Sequence, residues 1–100
     1  MPTQYLDYET ATSIRKEFAE YAESHMNLSP NAQMVFGQVY LRHLENGKSE
    51  TVADRMAAIS LDIASAEMKY LPKSMSLEEK VAAVKKQGRK EILDFIHDLN

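Results

Sequence analysis

A chain of one hundred residues is the size of a single domain folded around one core, so we expect one domain over residues 1–100. At 44% hydrophobic and 27% charged it lies outside the composition of disordered chains, and having no cysteine it can form neither disulfides nor thiolate metal sites. A net charge of −3 argues against a general nucleic-acid binder, because counterion release rewards chains that neutralise several phosphates with lysine and arginine.

The N-terminal run MPTQYLDYETATSIRKEF has no basic start leading into an apolar stretch, so no secretory signal is expected. Nor does any segment approach the ~18 consecutive apolar residues that suggest a membrane span. We therefore expect a cytoplasmic protein. A first helix is predicted over about residues 8–26, with Ala11, Ile14, Phe18, Tyr21 and His25 on one face and Glu17, Glu20 and Glu23 mainly in solvent. Ser29 and Pro30 then restart the chain, the serine as an N-cap and the proline in the first turn, where a missing N–H does no harm.

The second helix is expected from Pro30 to about Glu45, with Ala32, Val35, Phe36, Val39, Tyr40 and Leu44 over a wide apolar arc and Asn46-Gly47 as its stop. A third begins near Ser49 or Thr51. One of its stripes is Val52, Met56, Ile59, Ile63, Ala66 and Tyr70, and its neighbour is Ala57, Leu61, Ala64, Met68 and Leu71. An apolar arc of that width suits a helix packed against two others, and Pro72 is the expected terminator. Ser76 and Glu79 form an S-x-x-E capping box, so a fourth helix starts at Leu77. Its stripe is Leu77, Val81, Val84, Gly88, Ile92, Phe95 and Leu99, in which Gly88 marks either a close helix contact or a bend. Short connections favour antiparallel neighbours, and the fold class is all-α: an antiparallel four-helix bundle, wound up-down-up-down.

Catalytic and metal signatures do not emerge from this pattern. His25, His43 and His97 belong to three different helices and to no His-x-x-x-His or Glu-x-x-His pair, so neither a metal nor another cofactor is expected. Ser29, Ser49 and Ser76 are better read as caps than as nucleophiles, and the three glycines form no phosphate loop. No enzyme activity and no small-molecule substrate are expected. The charge is uneven along the chain: residues 73–90 carry Lys73, Lys80, Lys85, Lys86, Arg89 and Lys90 against Glu78 and Glu79. Two readings of Lys85, Lys86, Arg89 and Lys90 stay open at this point. One is a solvated face paired with nearby acids; the other is a patch that docks on an acidic protein surface or anionic headgroups.

The segment 41–75, LRHLENGKSETVADRMAAISLDIASAEMKYLPKSM, resembles the immunity proteins of class IIa (pediocin-like) bacteriocins. The elements that carry the likeness are Leu44-Glu45-Asn46-Gly47, Arg55 with Ala58-Ile59-Ser60, and Leu71-Pro72-Lys73-Ser74, and the segment that holds them is about a third of the chain. The resemblance implies an antiparallel four-helix bundle that protects a bacteriocin producer from its own peptide. It further implies a cytoplasmic protein that engages a membrane receptor permease, of the mannose phosphotransferase type, with the bacteriocin bound. Apart from the resemblance, the basic run leaves peripheral membrane contact open, and the net charge of −3 leads us to expect no nucleic acid. Specificity in that family is associated with the C-terminal half, which places the candidate partner-binding residues at Lys73, Lys85, Lys86, Arg89 and Lys90. A small helical regulatory or phage-type adaptor that binds another protein is the alternative.

Overall fold

A computed structural model describes residues 6–47 and 51–100. The chain is an all-α bundle of four helices: α1 (Tyr8–His25), α2 (Pro30–Leu44), α3 (Val52–Met68) and α4 (Leu77–Leu99). Each start is set by a side chain that accepts from an otherwise unpaired backbone N–H of the first turn. Asp7 accepts from Thr10 at 2.7 Å, Ser29 from Ala32 at 3.2 Å, and Thr51 from Asp54 at 3.0 Å. At α4 the capping box is complete, with Glu79 N–H donating to Ser76 Oγ and Ser76 N–H donating to Glu79 Oε1. Gly47, with a φ of 70°, closes α2 in the left-handed conformation. Ser49, the other candidate start of α3, lies outside the described residues.

The expected four-helix bundle is present, and α3 and α4 run antiparallel as expected. Met56 and Ser60 of α3 share a groove with Phe95 and Asp98, whereas Met68 lies with Val84. The remaining order in space departs from a plain up-down-up-down winding, in which α1 and α3 would be parallel. Arg15 meets Asp62 while Glu23 shares a cleft with Thr51 and Asp54, so α1 is antiparallel to α3. Thr10 lies with Val81 and Glu17 with Lys85 and Arg89, so α1 is parallel to α4. No part of α2 comes into backbone contact with α1. Instead α2 joins the end where α4 finishes and α3 begins: Ser29 N–H donates to Asn100 Oδ1 at 2.6 Å, and the rings of Phe36 and Phe95 meet edge-on at 5.6 Å.

The side chains give a physical reason for this order. Ala53, Ala57, Ser60 and Ala64 line the buried face of α3 and let neighbouring helices approach closely, and α1 brings Ile14, Phe18 and Ala22 to the core. On α2 only Ala32 and Phe36 are buried, while Met34, Val35 and Leu41 face solvent, so this helix lacks the continuous stripe that a fourth full-length partner needs. The innermost side chains are Phe18, Ile14, Ile92 and Val84, each contributing ~1.5–3 kcal/mol by leaving water.

Several sequence expectations fail locally, among them Leu77 of the α4 stripe, which is exposed. His25 is exposed rather than on the apolar face, its Nδ1 2.8 Å from the Tyr21 carbonyl. Ile63 and Tyr70 are exposed, so the first predicted stripe of α3 is buried only over its early part, and Ile59 is half-buried. Pro72 does not end α3 directly. The helix stops at Met68, and the N–H groups of Tyr70 and Leu71 donate to Glu67 and Met68 in tighter turns before the proline is reached.

Candidate interaction surface

The five basic residues singled out by the sequence do not form one free patch. Lys73 stands exposed in the α3–α4 connection, where Met75 N–H donates to the Pro72 carbonyl at 3.1 Å. Lys85 and Arg89 turn towards α1, where both pair with Glu17, Lys85 Nζ lying 3.0 Å from Glu17 Oε2. Glu17 is accordingly half-buried and bridged, not simply solvated as its place in the α1 pattern suggested. Partial burial works against its charge, yet the hydrogen bonds and charges of Lys85 and Arg89 outweigh that effect and hold its pKa below the ordinary 4.5. Half of the basic run therefore fastens α4 alongside α1.

Lys86 and Lys90 point the other way. Lys86 is exposed and, among the described residues, has no ion-pair partner. Lys90 Nζ lies 3.0 Å from Asp94 Oδ2 one turn along its own helix, and that contact raises the lysine pKa. Between them and His97 sits Leu93, 41% exposed, at spacings of three and four that place all four on one face. Leu93 was absent from the predicted site. The available signal was an apolar side chain lying on the Lys86–Lys90 side of α4, well off the Leu77–Leu99 stripe. The result is a solvent-facing helix surface in which one exposed leucine is bordered by charged side chains, Lys86 and the Lys90–Asp94 pair, an apolar spot with a polar rim as in protein–protein contacts.

Other chemistry finds no assembled site in the described residues. No group of three His, Asp or Glu side chains converges as a metal site would require, and no helix is long and apolar enough to cross a membrane. The chain matches no protein-family model, no curated protein and no solved structure.

Proposed function

We propose that this chain works by binding another protein through the outer face of α4, and that it serves as an immunity protein of the class IIa bacteriocin type. In this reading it engages the bacteriocin-bound receptor permease from the cytoplasmic side and carries out no catalysis. The observation that carries the binding role is the juxtaposition of exposed Leu93 with Lys86 and Lys90 on a helix whose opposite face is anchored in the core by Val84, Ile92 and Ile96. A partner with acidic groups around an apolar centre fits it: the charges steer encounter and set register, and the covered leucine adds affinity. The immunity role rests on the resemblance of residues 41–75, whose described residues form the end of α2, α3 and the approach to α4.

The test is expression in a strain sensitive to class IIa bacteriocins, followed by challenge with a panel of those peptides. Survival against at least one peptide is expected, and killing by every peptide at good soluble expression contradicts the immunity role. One observation favours a second reading as a helical adaptor for a different protein: α1 lies parallel to α4, unlike the antiparallel bundle the resemblance implies. Affinity capture through α4, compared between wild type and a Lys86→Glu variant, separates the two readings by the identity of what is lost.

A further inference from the structure

The groove between α3 and α4 encloses about 130 Å³ over an apolar floor of Met56, Ile59 and Ile63 from α3 and Phe95 from α4. A space of this order accommodates a small hydrocarbon. Its one uncharged polar side chain is Ser60, which is 3% exposed and whose hydroxyl has no hydrogen-bond partner among the described residues. Arg55 Nε is the only unpaired side-chain atom there that is sealed from solvent, so the Ser60 oxygen keeps an opening, and the cavity that Ser60 lines is this groove. A hydroxyl so placed calls for an occupant that completes it.

The charged walls of the groove are Glu91, Asp94 and Asp98, and no basic residue lines it. Like charges three and four residues apart on a helix repel, which a cation between them relieves. One oxygen of each carboxylate is engaged: Glu91 Oε1 accepts from Gln87 Nε2 at 2.6 Å, Asp94 Oδ2 accepts from Lys90 Nζ at 3.0 Å, and Asp98 Oδ1 lies 4.0 Å from His97 Nδ1. The second oxygen of each has no partner among the described residues. The three do not converge as a metal site requires. They stand in a row along α4, separated by about 4.5 and about 6 Å of helix rise. A compact ion would meet one of them and leave the apolar floor uncovered. An extended cation with an aliphatic chain uses both.

We propose that the α3–α4 groove binds a linear aliphatic polyamine, its methylenes laid on Ile59, Ile63 and Phe95, its ammonium groups on Glu91, Asp94 and Asp98, and one ammonium N–H donated to Ser60 Oγ. Ammonium groups separated by three or four methylenes repeat at a spacing comparable to that of the carboxylates. Each contact with a carboxylate is a charge-assisted hydrogen bond, and the covered methylenes leave water. The groove and the outer face of α4 are read by different measurements, so failure of one leaves the other standing.

The test uses the full chain and three probes at matched ionic strength: spermidine, butylammonium and magnesium ion. Nuclear magnetic resonance of the Ile59 and Ile63 methyl groups reads occupation of the groove directly. We expect spermidine to shift both sets of methyl resonances saturably, butylammonium to bind several-fold more weakly, and magnesium to leave the methyl groups unmoved. Glu91→Gln with Asp98→Asn, which spares the Lys90–Asp94 pair, should weaken spermidine binding several-fold. Ile63→Lys, at a position 38% exposed, supplies a cation from the chain itself and should abolish the response at Ile59 with the helical fold kept. The proposal is overturned if magnesium reproduces the shifts, if butylammonium binds as tightly as spermidine, or if either variant, folded by circular dichroism, binds spermidine as tightly as wild type.

Discussion

Replacing Gly88 by alanine puts the packing of α1 on α4 to a direct test. In a solvent-facing helix position this change gains ~1 kcal/mol, since alanine loses less backbone freedom than glycine. At Gly88 a Cβ would overlap Phe18 Cζ and Cε2 and stand 2.9 Å from Cε1. The ring has no open side to retreat to, because Phe18 is 0% exposed and packed among Ile14, Val84 and Ile92. Overpacking a close-packed core typically costs ~1–3 kcal/mol, and an overlap with an enclosed ring belongs at or above the upper end of that range. Subtracting the helix gain leaves a net loss of about 2 kcal/mol, or roughly 8–16 °C in melting temperature for a domain of this size. Gly37 is the internal control, as a Cβ there meets nothing within 4 Å and Gly37→Ala should stabilise by ~0.4–1 kcal/mol. Thermal melts followed by far-ultraviolet circular dichroism read both, and adding Phe18→Leu to Gly88→Ala should recover part of the loss. If Gly88→Ala melted as high as Gly37→Ala, the close approach of the two helices would be refuted.

Three further expectations follow from the same packing and electrostatics. Ile92→Ala removes a fully buried side chain and should cost ~2–5 kcal/mol, whereas Ile63→Ala, at a position 38% exposed, should cost about 1 kcal/mol or less; chemical denaturation ranks them. Glu17 has a lowered pKa, so its contribution to stability is present above its ordinary 4.5 and is lost as pH falls below that value through the folded-state pKa. Glu17→Gln should therefore flatten the acid side of the stability–pH curve, and an unchanged curve would disconnect the Lys85–Glu17–Arg89 bridge from stability. Ser76→Ala breaks the α4 capping box and should cost ~0.5–2 kcal/mol, seen as a lower denaturation midpoint with an unchanged slope.

Local structure was legible because caps and breakers act within a few residues. Ser29-Pro30, Thr51, Ser76 with Glu79, and Gly47 mark helix ends that the structure places at, or within one residue of, the expected positions. Winding was not legible, since it depends on which faces meet. Loop length alone suggested that α1 and α2 would pair, yet the small residues of α3 draw α1 to them, and the scattered apolar residues of α2 leave it across one end. Gly88 could be read as a contact or a bend, and only the position of the Phe18 ring decides for contact. The basic run was visible as charge; its division was hidden, because Glu17 lies about seventy residues away in sequence from its partners Lys85 and Arg89. Arg55 looked like part of a motif, and its burial with no carboxylate partner among the described residues could not be read from one helix.

The proposed role of the outer face of α4 is tested most directly by reversing Lys86 and Lys90 to glutamate together and measuring protection and thermal stability on the same preparation. Neither lysine ties α4 to another helix, and the solvent-exposed Lys90–Asp94 pair is screened by water and salt, so the fold should be almost unaffected. The expected result is a melting temperature close to wild type with protection against the cognate bacteriocin lost, and a wild-type interaction that weakens as salt rises. A charge-reversed protein that melts like wild type and protects as well as wild type would contradict the assignment of this face as the recognition surface.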